Sequence, residues 1–358
     1  MSSNLTQEQL KAVTFLPQVH ATKKNLIIEA GAGAGKTSVL SERVKWLLTK
    51  APLTIRLNPN QIFLVTFTND AQKELKERIQ NVLAAASLSQ YSSSIHISTI
   101  DGLFDSLVDS IFPLWWDNYN HKSTFQIPPI LTLVTENEVT RNLEKKVAHF
   151  LNDSPHSSHD LALIIDFILS GGFKKSNSNF FSPTNTLENI LKCMCQDHFL
   201  ISNKEDIRIV ANKIHPATNS LIAQIHTIAR LEYEKRIQKG EFTYADKTVF
   251  LKENLQNNIL ISMKELIVDE YQDTNFLQHD ILYKLIHNSK GRMVVVGDPK
   301  QSIYGFRGAS VNVFKSLLED KEWEHISLNK NFRTQENLLH EINTLSSLAF
   351  RWKNPRHL

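Results

Sequence analysis

The chain has 358 residues, long enough for one to three domains and a full hydrophobic core. Apolar residues make up 41%, and 40 Lys and Arg against 37 Asp and Glu leave a formal net charge of +3, so a surface for nucleic acid or membrane has to be a local patch. Two cysteines, Cys193 and Cys195, cannot build a structural zinc site and are badly spaced to pair; the N-terminus lacks a charged-then-apolar signal, and Leu161 to Leu169, broken by Asp166, is too short for a membrane span. A cytoplasmic chain with no membrane partner is expected.

In chain order, the apolar run Asn25 to Ile28 predicts a strand, and Val39, Leu40, Val44, Leu47 and Leu48 fall on one face of a following helix. Between them lies Ala30-Gly31-Ala32-Gly33-Ala34-Gly35-Lys36-Thr37. Strand, glycine-rich turn and helix is the layout of a phosphate-binding loop: flexible backbone wraps phosphate oxygens with N–H donors, and the helix start adds partial positive charge. Lys36 would reach the β- and γ-phosphates, and the Thr37 hydroxyl would sit on Mg²⁺. Ala30 stands where the motif usually has Gly, a small departure. Ile62 to Phe67 predicts a second strand, Ala71, Leu75, Ile79 and Val82 the stripe of a helix, and Ile95 to Ser98 a third strand. This rhythm is α/β with a parallel sheet.

From about Phe112 to Gly240 the chain is richer in Asn, Ser, His and Pro, with loops at Gly171-Gly172 and Ser176 to Pro183, and reads as a mostly helical insertion. The α/β rhythm returns with a buried strand from Glu265 to Asp269, an amphipathic helix from Phe276 to Ile286, and a strand from Met293 to Gly297. A short strand at Ile326 to Leu328 and a helix beyond Thr334 complete the pattern, before a basic tail from Arg351 to His357.

Leu266-Ile267-Val268-Asp269-Glu270 puts two acids at a strand end. Taken alone, that is a solvated loop edge as often as a site. Beside a phosphate loop, Asp269 suits a Mg²⁺ ligand and Glu270 a base for the attacking water. Gln301 follows a buried strand, where it could face the γ-phosphate. Tyr304, Phe306 and Arg307 follow; aromatics there fit a core, or stack on unpaired bases at about 1–3 kcal/mol per base.

Together these segments resemble the UvrD/Rep/RecB group of superfamily 1 DNA helicases. Leu5 to Val13 is similar to the Q-motif, the glycine loop to motif I, Val65 to Asn69 to motif Ia and Ile97 to Gly102 to motif Ib. Val268 to Thr274 resembles VDExQDT (motif II), Gly297 to Ala309 resembles GDxxQSIYxFRGA (motif III), and Asn329 to Thr334 resembles motif IV. The resemblance implies a RecA-like ATP-binding domain from residues 1–105 and 240–328 (1A), a helical insertion at 106–239 (1B) flanking DNA, and at 329–358 the start of a second, truncated RecA-like domain (2A).

It further implies ATP and Mg²⁺ as cofactors and 3′ to 5′ movement on single-stranded DNA, with DNA repair among the pathways served. By motif position, Gln9 would read the adenine edge, Phe332 would stack on adenine and Arg333 would contact the γ-phosphate. Ser38 stands where some members place an adenine-flanking Arg. The nucleotide-binding residues would be Gln9, Ala30, Gly31, Ala32, Gly33, Ala34, Gly35, Lys36, Thr37, Ser38 and Phe332. Phe67, Thr99, Tyr304, Phe306 and Arg307 would meet DNA.

Asp101 and Asp70 put negative charge where a DNA backbone would pass, which costs affinity. Motifs V and VI are absent from these residues. The expectation is a half that binds ATP·Mg²⁺ but hydrolyses it poorly unless a second polypeptide completes it. A rival reading is an ATP-switched binding or recruitment module acting with a partner such as a nuclease. A small-molecule kinase would share only the phosphate loop.

Overall fold

A computed structural model describes residues 5–16, 24–119, 127–153, 216–255, 262–302 and 311–350. The loops expected at 171–172 and 176–183, the run at 161–169, Cys193, Cys195, Tyr304, Phe306, Arg307 and the basic tail lie outside the described residues. The chain divides into two compact units, one formed by residues 1–103 with 255–358 and the other by residues 104–254.

The first unit contains α1 (Gln7–Thr14), β1 (Asn25–Ala30), α2 (Lys36–Thr49), β2 (Ile62–Thr66), α3 (Asn69–Ala85) and β3 (His96–Thr99). Six parallel strands run in the order β3-β2-β6-β7-β1-β8, where β6 is Glu265–Val268, β7 is Arg292–Gly297 and β8 is Trp323–Leu328. The central strands are nearly continuous apolar runs because a parallel sheet is covered on both faces: Leu26, Ile27 and Ile28 of β1, Leu64 and Val65 of β2, and Leu266, Ile267 and Val268 of β6 are fully buried. The α3 stripe is Leu75, Ile79 and Leu83; Val82, expected on that face, is only half-buried.

Charge enters this core at Arg43 and Glu265. Arg43, on the apolar face of α2, and Glu265, which opens β6, are both fully buried. Arg43 Nε donates to Glu265 Oε1 at 2.5 Å, Arg292 bonds the other carboxylate oxygen, and Arg43 Nη1 donates to the carbonyls of Ala12, Val13 and Phe15. Burial lowers the Arg43 pKa from its ordinary value, and the Glu265 charge opposes this. Glu265→Ala would strand two guanidinium groups, so it should cost about 3–5 kcal/mol of stability in urea titration. A loss below about 1 kcal/mol, the level of an exposed pair, would contradict this.

In the second unit, strand signals were weak in the sequence, and the described residues are mainly helical. They include most of α4 (Ile100–Tyr119), then α5 (Glu136–Asp153), α6 (Pro216–Gln238) and α7 (Tyr244–Asn254). A two-residue parallel pair, β4 (Thr132–Leu133) with β5 (Glu241–Phe242), was not anticipated. Residues 240–254, read from sequence with the first domain, cluster here. Phe242 and Phe250 meet edge-to-face, and Phe242 packs the same way on Phe112 of α4. Thr243 and Asp246 cap α7 reciprocally, and Arg236 closes on the buried Asp246 carboxylate with two 2.9 Å bonds.

Candidate nucleotide site

Because all six strands are parallel, their C-terminal ends share one edge, and the segments that follow them meet there. The turn after β1 carries the glycine loop, that after β6 carries Asp269 and Glu270, that after β7 leads to Gln301, and that after β8 carries Asn331, Phe332 and Arg333. These segments and α3 line a cavity of about 450 Å³.

Gly33 and Gly35 both hold left-handed φ, 76° and 84°. A Cβ on Gly33 would lie 2.7 Å from Arg333 Cβ and 2.8 Å from Asn331 Oδ1. The loop is therefore drawn tightly against residues 331–333: Phe332 N–H donates to the Gly33 carbonyl at 2.8 Å, and Asn331 Nδ2 to the Ala32 carbonyl at 2.9 Å. Asn331 Oδ1 accepts from the backbone N–H of Arg333 and Thr334. Sequence reading missed Asn331, although an Asn two residues before an Arg in a turn is an Asx-turn signal.

Lys36, at the first turn of α2, points to the acids. Its ammonium lies 3.0 Å from both Glu270 carboxylate oxygens. Glu270 adopts a left-handed backbone (φ 50°, ψ 42°), and Asp269 Oδ1 accepts from its N–H at 2.9 Å. Burial, and then the Glu270 charge, raise the Asp269 pKa to about 6, while Lys36 pulls it down. The same two causes raise Asp273 to about 6.

The sign of the Asp269 effect follows from linkage. The folded state holds this proton more tightly, so its contribution to stability is intact below pH 3.8 and is lost as pH rises through about 6. Asp269→Asn keeps the acceptor for Glu270 N–H and removes the buried charge. It should stabilise the nucleotide-free protein by about 1–3 kcal/mol near pH 8 and by little near pH 4. Melting curves at the two pH values check this; equal stability of the two proteins near pH 8 would contradict it.

Of the residues singled out from sequence, Ala32, Gly33, Gly35, Lys36, Thr37, Ser38, Asp269, Glu270, Gln301, Phe332 and Arg333 line the cavity. Ala30 and Ala34 are buried beneath it, and Gly31 lies between Ala30 and the lining residues. Gln9 braces the loop: its Nε2 donates to the Ala34 carbonyl at 3.1 Å and its Oε1 accepts from Thr6 N–H at 3.0 Å. Phe67 and Thr99, at the ends of β2 and β3, are not among the lining residues; Thr99 Oγ1 accepts from Gly102 N–H at the start of α4. Glu74 and Arg78 of α3 also line the cavity, and sequence reading passed over both.

The residues fit a Mg²⁺-bound triphosphate. The loop glycines curl beside an ammonium, and the Thr37 hydroxyl and Asp269 carboxylate are the hard oxygen donors Mg²⁺ prefers.

A family model described as UvrD/REP helicase N-terminal domain matches residues 5–322. The chain is 26% identical over 335 residues to DNA helicase II of Haemophilus influenzae, covering 92% of this chain and 39% of that protein. It is 28% identical over 348 residues to ATP-dependent DNA helicase PcrA of Staphylococcus epidermidis (95% and 39%), and 27% identical over 358 residues to ATP-dependent DNA helicase Rep of Buchnera aphidicola (98% and 44%). The chain thus spans between 39% and 44% of the length of these relatives.

Proposed function

The chain belongs to the UvrD/REP helicase N-terminal domain family, and from that premise we propose that it is the ATP-binding part of a 3′ to 5′ DNA helicase, coupling ATP hydrolysis to a grip on single-stranded DNA. The observation that carries this reading is the convergence of Lys36, Asp269 and Glu270 in one cavity with the glycine loop. Residues 1–103 and 255–328 of the first unit form the RecA-like ATP-binding domain 1A, and the second unit is the helical insertion 1B. Residues 329–358 begin domain 2A.

Loop amides and Lys36 bind the phosphates. Thr37 and Asp269 would hold Mg²⁺, whose role when bound is to neutralise charge developing on the phosphate oxygens. A phosphate that claims the Lys36 ammonium releases the Glu270 carboxylate to take a proton from water. Gln301 and Arg333 face the γ-phosphate, and Phe332, half exposed at the rim, offers a ring to adenine. Gln9 supports this site by fixing the loop from behind. Phe67, Thr99, Tyr304, Phe306 and Arg307, by their motif positions, would meet single-stranded DNA. Among the described residues no helix is long and apolar enough to cross a membrane.

The intact Lys36–Glu270–Asp269 arrangement favours hydrolysis over a purely ATP-switched recruitment module, and a second polypeptide would be needed only if the purified chain binds ATP·Mg²⁺ without turning it over. Phosphate release by the purified chain should rise with added single-stranded DNA and lose that stimulation as salt increases. Turnover indifferent to DNA would contradict the coupling. ATP-dependent DNA affinity without turnover would favour the switch.

A further inference from the structure

We propose that Gln272 is a positioning residue for the hydrolytic step, holding the Glu270 carboxylate and tying it to the turn that carries Gln301. This rests on the reading of Glu270 as the base. Gln272 is 2% exposed, in the short 3-10 turn that follows Glu270. Both ends of its amide are in use. Nε2 donates to Glu270 Oε2 at 2.8 Å, and Oε1 accepts from Asp298 N–H at 3.0 Å. The Asp298 N–H can only donate, so it fixes which end of the amide faces it and leaves the donor end for Glu270.

The chain of bonds continues. Asp298 Oδ2 accepts from Gln301 Nε2 at 2.8 Å, and the Gln272 backbone carbonyl accepts from Ser302 Oγ at 3.1 Å. Glu270, Gln272, Asp298 and Gln301 therefore form one hydrogen-bonded path whose two ends, Glu270 and Gln301, both line the cavity. The room for it is made by Gly297, where a Cβ would lie 2.4 Å from Gln272 Oε1. Glu270 also needs holding: a left-handed backbone is unfavourable for a residue with a Cβ and persists where its surroundings fix it. Lys36 holds the carboxylate from the loop side. When a phosphate claims Lys36, Gln272 is the remaining side chain bonded to it among the described residues.

The test is phosphate release and nucleotide affinity of the 358-residue chain with single-stranded DNA, for wild type, Gln272→Met, Gln272→Glu and Glu270→Gln. Met keeps the reach and loses both hydrogen bonds. Glu keeps the acceptor for Asp298 N–H, cannot donate to Glu270 when ionised at alkaline pH, and has the shape of Gln should the Met variant fail to fold. Both variants should lower kcat by about 10- to 100-fold, the scale of a misplaced catalytic group, with nucleotide affinity and KM within about threefold of wild type. If wild type turns over and both folded variants keep kcat, the positioning role is overturned while the function stands. Equal losses in kcat and nucleotide affinity, or a variant that does not fold alongside an unaffected Glu variant, also overturn it, because either result marks a merely structural residue. If wild type releases no more phosphate than Glu270→Gln, the reading of Glu270 itself fails, and the proposal falls with it.

Discussion

Lys36→Ala is expected to weaken Mg·ATP binding by about 10²- to 10⁴-fold. The ammonium is the only cation among the described residues whose bonds run to Glu270, and its three donors match phosphate oxygens. Two hydrogen bonds to charged groups are worth about 3–6 kcal/mol together, and each 1.4 kcal/mol is tenfold in affinity. The substitution also leaves the Glu270 carboxylate without its counter-charge and facing the phosphates, which adds repulsion. Side-chain exposures of 12% for Lys36 and 33% for Glu270 mean that the pair is not deep core, so the variant should fold. Titration with a fluorescent ATP analogue measures the change. Affinity within about threefold of wild type would remove Lys36 from the site.

The second large effect is on turnover. Glu270→Gln should lower phosphate release by about 10²- to 10⁴-fold, the usual loss when a general base is removed. Nucleotide binding should hold or tighten, because Gln no longer competes as a charge for the Lys36 ammonium. Binding and turnover therefore move in opposite directions at Glu270 and together at Lys36. A Glu270→Gln protein that releases phosphate at the wild-type rate would assign the base elsewhere. One that loses binding would make the Lys36 pair a structural support rather than a contact that phosphate displaces.

Much of this frame was legible in the residues themselves. The centres of β1, β2, β6 and β7 are apolar runs because both sheet faces are covered, and each strand leads into a segment with distinct chemistry. The edge strand β8 begins at Trp323, earlier than its apolar end suggested, because Glu324 and His325 face partly outward and break the run. The pair β4 and β5 is too short to leave a pattern.

Residues that act across long sequence distances left little trace. Asn331 and Gln272 matter through bonds to other segments, and Glu74 and Arg78 read as an ordinary i, i+4 surface pair although they line the cavity. The buried Arg43 did carry a signal: it falls four residues from both Val39 and Leu47, on the stripe that faces the core, where an unpaired charge is not tolerated. Its partner Glu265, 222 positions away, had no local mark.

The most direct measurement is a crystal structure of the chain with Mg²⁺ and a non-hydrolysable ATP analogue. The expected result is a triphosphate in the glycine loop, with Lys36 drawn from Glu270 to the β- and γ-phosphates and the metal held between the Thr37 hydroxyl and Asp269. A nucleotide bound elsewhere, with Lys36 still paired to Glu270, would contradict it.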